Sequence, residues 1–152
     1  MQKTPWQEHQ MEMYEKTVTV PRKIAWYDDE NGHHFTPELL TLKHQVEEKT
    51  GFEYNAVLLN LYRDGSDGVS WHSDKEIRSG EKPAIASVTF GQTRLFRMRH
   101  KTRKDIPQLE IPLHHGTLLL MHGSTNENWQ HEVPKSKKPM LPRINLTFRQ
   151  IK

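Results

Sequence analysis

Three residues of this chain have the types and the spacing of metal ligands. His72 and Asp74 are two positions apart, and residues two apart on an extended chain point to the same side. His131, in the segment Asn128-Trp-Gln-His131, is a candidate third ligand. Two histidines and one carboxylate form the facial triad of non-haem Fe(II) oxygenases, which leaves positions open for a cosubstrate and oxygen. The same three ligands could also hold zinc.

A late segment alternates strictly between polar and apolar residues. On a strand, one face would carry Arg143, Asn145, Thr147 and Arg149, and the other Ile144, Leu146 and Phe148. An ordinary strand with its polar side in water explains the pattern. Alternatively, the two guanidinium groups face into a barrel, where they need anionic partners. A dicarboxylate supplies two anions that suit guanidinium, so the segment is what an Fe(II)/2-oxoglutarate enzyme would need.

The composition restricts the kind of site. The chain has 152 residues, no cysteine and ten histidines, with a formal charge of +3. Its length suits one domain. Without cysteine, disulfide scaffolds, zinc–thiolate sites, iron–sulfur clusters and thiol nucleophiles are excluded, so metal ligands must be His, Asp or Glu. The small positive charge permits a polyanionic partner without requiring one.

The sequence predicts neither a membrane span nor a signal peptide. No run approaches the roughly 18 apolar residues of a spanning helix, and the first 14 residues lack an apolar core. We therefore expect an intracellular protein, cytoplasmic and also nuclear in a eukaryote. We also expect a monomer with no membrane partner.

One helix and several short strands must position these residues. Thr36 as N-cap, Pro37 at the first position and Gly51 at the exit predict a helix over 37–50. Its apolar face carries Leu39, Leu42 and Val46. Strands are predicted over 56–62, 84–90, 93–99, 109–113, 117–121 and 144–148. Weak alternation marks 11–14 and 17–20, before an interruption at Pro21. The pattern indicates an α+β fold with a sandwich or jelly-roll body.

Seven sequence motifs, in order, resemble those of the AlkB family of Fe(II)/2-oxoglutarate-dependent dioxygenases. They lie at 21–27, 60–63, 71–74, 85–91, 112–119, 128–131 and 142–149. The resemblance covers roughly residues 5–151 and is closest to the second and third human homologues. It implies a single dioxygenase domain, 1–152, with a double-stranded β-helix (jelly roll). A short N-terminal nucleotide-recognition lid would occupy 1–35, and a flanking helix with the jelly-roll core 36–152.

The resemblance also implies roles for individual residues. Fe(II) would be held by His72, Asp74 and His131. The cosubstrate 2-oxoglutarate would be bound by Asn60, Tyr62, Arg143, Asn145 and Arg149, with Arg143 and Tyr62 at its distal carboxylate. The expected reaction is oxidative demethylation of alkylated bases such as 1-methyladenine and 3-methylcytosine in DNA or RNA.

Substrate contacts follow from the same resemblance. A flipped base would lie between Tyr14 and His72, Glu76 would contact its exocyclic amino group, and Tyr27 would line the entrance. Simple packing of a lid on the sheet explains Tyr14 and Tyr27 as well. Only 13 residues precede Tyr14, which leaves no room for the finger that duplex-specific members use, so we expect a preference for single strands.

Basic residues offer a possible track for the nucleic-acid backbone. Arg94, Arg97 and Arg99 recur every two or three residues, and Lys101–Lys104 and Lys135–Lys138 add two loop clusters. A phosphate-contacting surface needs such charges. Solvated loops that aid solubility would explain each cluster equally well.

Three other functions stay open on the sequence alone. The first is a 2-oxoglutarate oxygenase that acts on a protein or a small molecule. The second is a zinc hydrolase with the same three ligands, which leaves Arg143 and Arg149 without a role. The third is a non-catalytic nucleic-acid-binding module with a vestigial site.

Overall fold

The computed structural model describes residues 7–13, 16–28, 33–74 and 84–151, with only the backbone described up to residue 21. Its elements are β1 (Gln7–Met13), β2 (Lys16–Asp28), α1 (Pro37–Thr50), β3 (Ala56–Tyr62), β4 (Val69–His72), β5 (Ile85–Gly91), β6 (Arg94–His100), β7 (Leu109–Leu113), β8 (Leu118–Met121), α2 (Thr125–Asn128), β9 (Trp129–Val133) and β10 (Arg143–Arg149). In the described part of the chain, no helix is long and apolar enough to cross a membrane.

The strands form two antiparallel sheets. The major sheet has the order β1-β2-β3-β10-β5-β8, and the minor sheet the order β4-β9-β6-β7. Side chains from both sheets line one cavity between them. This arrangement matches the predicted α+β jelly roll, with neighbouring strands that are distant in sequence.

Helix α1 has the predicted ends. The hydroxyl of Thr36 accepts a hydrogen bond from Leu39 N at 3.2 Å, and Gly51 adopts the left-handed conformation at φ 79°. Leu39 and Val46 are buried in an apolar cluster with residues of the major sheet. The helix therefore covers the face of the major sheet that points away from the cavity.

The N-terminal strands are longer than the sequence patterns predict. β2 runs for 13 residues and pairs with β1 and then, over residues 23–28, with β3. Pro21 does not interrupt it, because the β1–β2 register shifts between residues 8 and 10 of β1, opposite this part of β2. A residue without an N–H is tolerated at such an irregularity. Residues 7–13 and 16–28, within the predicted lid segment, thus extend the major sheet.

Strand β10 lies in the middle of the major sheet, between β3 and β5. Its register places Arg143 opposite Tyr62 and Asn145 opposite Asn60. Directly opposed residues share a face, so these four side chains point to the same side. Leu146 and Phe148 enter the cluster under α1 from the other face. The predicted alternation is confirmed, and the interpretation as a half-exposed strand is wrong because both faces are covered.

The loop that follows β3 is held by an ion pair between the half-exposed Arg63 and the buried Asp67. Arg63 donates two side-chain hydrogen bonds to Asp67, at 2.7 and 2.9 Å, and its backbone N–H donates a third at 2.9 Å. The side-chain bond from Arg63 is the main reason that the pKa of Asp67 lies below its usual value, although burial opposes this.

Acidification should remove the stabilisation that Asp67 provides. Because its pKa is lower in the folded chain, the contribution is complete above the unfolded value near 3.9 and disappears as pH falls through the folded value. At pH 7 we expect Asp67→Asn to reduce the free energy of unfolding by about 1–2 kcal/mol, since half of Arg63 is exposed. Urea unfolding at several pH values measures this, and a difference that persists unchanged at pH 2 would contradict it.

Candidate active site

The three predicted metal ligands lie together at the cavity. β4 ends at His72, which is paired in register with His131 of β9, and Asp74 follows two residues after the end of β4. Asp74 Oδ1 lies 3.9 Å from His72 Nε2, and its Oδ2 lies 3.8 Å from His131 Nε2. One ligand atom from each of the three residues lies within 4.8 Å of the others. Strand pairing and a short loop therefore assemble the facial triad.

Neighbouring groups fix the orientation of both imidazole rings. His72 Nδ1 donates to the carbonyl of Ser70 at 2.7 Å, so its Nε2 carries the lone pair that faces Asp74. The ring of His131 stacks on Phe96, with centroids 5.2 Å apart, and meets the ring of His72 edge-on at 4.4 Å. Such partners outside the ligand set hold each ring in the orientation for binding a metal.

The charges around the cluster suit a cation. Burial alone would raise the pKa of Asp74, but Arg149 and the two histidines hold it below its usual value. Burial lowers the pKa of His131 to about 4. At neutral pH the carboxylate is therefore ionised and His131 is neutral, which are the states that bind a metal.

Beside the triad, the buried guanidinium groups of Arg143 and Arg149 have N–H donors without a hydrogen-bond partner among the described residues. Arg143 is 1% exposed, donates to Thr89 Oγ1 at 3.2 Å and lies 5.0 Å from the ring centroid of Tyr62. Among the described residues its Nε and Nη1 have no hydrogen-bond partner, and neither has Arg149 Nη1. Unpaired buried donors are costly, so their presence indicates an anionic ligand. A dicarboxylate such as 2-oxoglutarate fits this requirement.

The two predicted asparagines lie between these arginines. Asn145 Nδ2 donates to Ser87 Oγ at 2.6 Å. Asn60 Oδ1 accepts a hydrogen bond from Arg22 Nε at 2.8 Å, which links it to β2. Asn60 also lines the cavity together with the other predicted cosubstrate residues. Both amides retain polar atoms with which to contact a ligand.

All these groups line a single cavity of about 410 Å³, within the usual range for small-molecule sites. The predicted residues that it brings together are Asn60, Tyr62, His72, Asp74, His131, Arg143, Asn145 and Arg149. Of the predicted substrate contacts, Tyr14 and Glu76 lie outside the described residues. The geometry therefore assembles the metal and cosubstrate sets but leaves the substrate set mostly undescribed.

Tyr27 is not where we expected it. Its side chain is 4% exposed and belongs to the apolar cluster under α1 instead of lining the cavity entrance. Strand parity is the reason: along β2 the cavity face carries Arg22, Ile24 and Trp26, so Tyr27 points the other way. Trp26 is not among the predicted contacts, although strand periodicity identifies it once β2 is known to reach residue 28. The Trp26 indole N–H donates to the carboxylate of Asp28, which fixes the ring.

The predicted basic track is also corrected. Arg94 is 2% exposed and donates to the backbone carbonyls of residues 64, 67 and 134, so it holds loops together and does not reach a phosphate. Arg97 lies 3.3 Å from Glu110 and 3.6 Å from Glu132. Arg99 stacks on Trp71 at 4.3 Å. The Lys101–Lys104 and Lys135–Lys138 loops carry exposed lysines and stay candidates.

Comparisons with known proteins agree with this geometry. Residues 1–149 match the family model described as the 2OG-Fe(II) oxygenase superfamily. The chain is 42% identical over 167 residues to human "Alpha-ketoglutarate-dependent dioxygenase alkB homolog 3", which covers 99% of this chain and 58% of that protein. It is 37% identical over 159 residues to human "DNA oxidative demethylase ALKBH2", covering 93% and 60% respectively. The chain thus spans somewhat more than half of each relative.

A solved structure supports the fold. The structure of OsALKBH1 superposes with a TM-score of 0.67 over 86% of this chain and 79% of that one, at 18% identity. At that identity the likeness concerns the fold alone, and it confirms the jelly roll. The superfamily uses Fe(II) and 2-oxoglutarate, and the His–Asp–His cluster fits the metal. The chain belongs to the 2OG-Fe(II) oxygenase superfamily and, as its motifs predicted, to the AlkB family within it.

Proposed function

We propose that this chain is an Fe(II)- and 2-oxoglutarate-dependent demethylase of alkylated nucleobases. The observation that carries the proposal is one cavity with a buried His–Asp–His cluster beside two arginines with unpaired donors. The names of its relatives, a dioxygenase and a DNA oxidative demethylase, support nucleic acid as the substrate. Methylated bases such as 1-methyladenine and 3-methylcytosine, in single-stranded DNA or RNA, are the proposed targets. The proposal includes a monomeric, intracellular, single-domain protein.

The site residues would then have distinct tasks. His72, Asp74 and His131 would hold Fe(II), and Arg149 keeps Asp74 ionised through a contact of 3.2 Å. Arg143 and Tyr62 would bind the distal carboxylate of 2-oxoglutarate, while Asn60, Asn145 and Arg149 steady the remainder. Fe(II) with 2-oxoglutarate and O₂ would supply hydroxylation of the N-methyl carbon, yielding succinate and CO₂, and the hydroxylated base loses formaldehyde.

The substrate would enter beside the more open of the two histidines. The side chain of His72 is 34% exposed, whereas that of His131 is 10% exposed. Trp26 lines the same cavity from the major sheet. A cavity lined by an indole and an imidazole suits a flat base, because every base has a face on which an aromatic ring can stack. We therefore propose Trp26 as a substrate contact. Tyr14 and Glu76 stay predicted contacts.

The decisive experiment measures formaldehyde released from oligonucleotides that carry one 1-methyladenine or 3-methylcytosine. Single-stranded DNA, duplex DNA and RNA are compared, each with and without 2-oxoglutarate. We expect release only with Fe(II) and 2-oxoglutarate, and fastest on single strands. Succinate formation without release of formaldehyde from any of the three would favour an oxygenase that acts on a protein or a small molecule. Activity that does not need 2-oxoglutarate would favour a zinc hydrolase.

Trp26→Ala should weaken substrate binding without affecting the cosubstrate. Loss of one stacking contact costs about 1–3 kcal/mol, which is roughly a 5- to 150-fold rise in KM for the oligonucleotide. The KM for 2-oxoglutarate should change little, because Arg143 lies on a different strand. Tyr27→Phe is the control, since that ring lies in the core. An unchanged KM for the oligonucleotide in Trp26→Ala would remove Trp26 from the site.

A further inference from the structure

Asp74 differs from the two histidines in how its backbone is held. His72 and His131 belong to paired strands, whereas Asp74 lies beyond the end of β4. A ligand on a loop needs some other anchor if the site is to exist before the metal binds. The salt bridge with Arg149 holds only its carboxylate. The inference that follows rests on the proposed function, in which Asp74 is a metal ligand.

A single side chain bonds both backbone groups of Asp74. The Asp74 N–H donates to Asn126 Oδ1 at 2.9 Å, and Asn126 Nδ2 donates back to the Asp74 carbonyl at 2.9 Å. A primary amide can bond the N–H and the C=O of one residue in this way because it presents one acceptor and one donor side by side. One residue earlier, Ser73 Oγ donates to the carbonyl of Trp129 at 2.7 Å. Three hydrogen bonds thus join the loop after β4 to α2 and the start of β9.

The position of Asn126 links this clamp to the third ligand. Asn126 lies in α2, which runs directly into β9, and His131 is five residues further along the chain. Helix α2 is itself closed by a bond from Asn128 N to Ser124 O at 3.0 Å. The clamp therefore fixes the backbone of Asp74 relative to the segment that carries His131. The clamp holds the backbone of Asp74, and the salt bridge with Arg149 holds its carboxylate.

We propose that Asn126 is a positioning residue that pre-forms the metal site by clamping the backbone of Asp74 to the segment that carries His131. Without the amide, water can bond the two backbone groups of Asp74, so folding survives but the ligand is no longer fixed. The metal must then order the loop as it binds, and its affinity falls. Binding of 2-oxoglutarate to Arg143 on β10 does not depend on this clamp.

The test compares Asn126→Ala, Asn126→Gln and the matched control Asn128→Ala, which removes the same group from an exposed position of the same helix. Each full-length variant is titrated with Co(II) in the presence of 2-oxoglutarate, and the d–d absorption reports both affinity and coordination geometry. Outer partners of metal ligands typically contribute about 10- to 100-fold in affinity, so we expect at least a tenfold rise in the Co(II) Kd for Asn126→Ala. Asn126→Gln keeps both amide groups and should recover part of the loss.

Two further measurements separate positioning from general stability. At saturating Fe(II), the KM for 2-oxoglutarate in Asn126→Ala should match that of the wild type, and the Tm of the metal-free variant should stay close to that of Asn128→Ala. If the wild type binds Co(II) and Asn126→Ala binds it equally well, the inference fails and the proposed function stands. If the wild type binds no Co(II), both fail. If Asn126→Ala does not fold, Asn126→Ser takes its place, because a single hydroxyl cannot bond both backbone groups of Asp74 as the amide does. An unchanged Co(II) Kd in Asn126→Ser overturns the inference.

Discussion

Asp74→Ala is expected to abolish turnover and metal binding together. Asp74 is the only carboxylate of the cluster and lies between both histidines at 3.8–3.9 Å. Two neutral imidazoles would then have to hold a divalent ion without an anionic ligand. Since partners outside the ligand set already contribute about 10- to 100-fold, removal of a ligand should cost at least about 100-fold in metal affinity and in turnover. Co(II) titration and formaldehyde release measure the two effects.

The same substitution also affects the fold, so its interpretation needs controls. Arg149 is buried, and among the described residues its salt bridge is with Asp74. Loss of one partner of a buried pair costs about 3–5 kcal/mol. Asp74→Asn avoids most of this cost, because the amide oxygen still accepts a hydrogen bond from Arg149. Asp105→Ala, at an exposed aspartate, is the matched control. Turnover of Asp74→Asn within tenfold of the wild type would remove Asp74 from the ligand set. Oligonucleotide binding by the wild type without any turnover would favour the non-catalytic nucleic-acid-binding module.

Strand β10 shows what the sequence could predict. Its strict alternation was enough to place Arg143 and Arg149 on one face, because each second residue of a strand points the same way. Burial of that face could not be read from the alternation alone, since a surface strand has the same pattern. Two arginines on one face favoured a buried face, because they would bind an anionic ligand inside a barrel. The structure confirms it, with both residues at most 3% exposed.

The roles of residues that depend on contacts between distant segments of the chain were harder to predict. The alternation over 17–20 indicated only a short strand, and pairing with β3 extends β2 to Asp28, so Trp26 faces the cavity in place of Tyr27. Arg94 resembled a surface charge, but three backbone carbonyls from two distant loops surround its guanidinium. The amide of Asn126 meets Asp74 across 52 positions of sequence. None of these pairings leaves a local pattern, since each depends on how the strands are ordered.

Arg143→Met is expected to stabilise the protein without its ligand and to weaken binding of 2-oxoglutarate. Arg143 is a buried cation whose Nε and Nη1 have no partner among the described residues, so the folded chain bears an uncompensated desolvation cost. Burial also lowers its pKa, against the influence of Tyr62, which reflects the same cost. Replacing buried charges by apolar side chains of similar size is often stabilising by about 1–4 kcal/mol. For a chain of this length each kcal/mol corresponds to roughly 2–4 °C in Tm.

The opposite effect should appear when the cosubstrate is added. Loss of a buried charge partner costs about 2–5 kcal/mol in binding, so the KM for 2-oxoglutarate should rise roughly 30-fold or more. A ligand that binds only the folded state raises Tm, so 2-oxoglutarate with Mn(II) should stabilise the wild type and have much less effect on Arg143→Met. Arg103→Met, at an exposed arginine, should show neither change. A variant that is less stable without ligand, or that keeps a wild-type KM, would show that the unpaired donors of Arg143 serve the fold and not the cosubstrate. We therefore expect Arg143→Met to have a higher Tm than the wild type without ligand and a smaller rise in Tm when ligand is added. A purely structural role for Arg143 would produce neither effect, so the combination indicates a residue that serves binding and reduces stability.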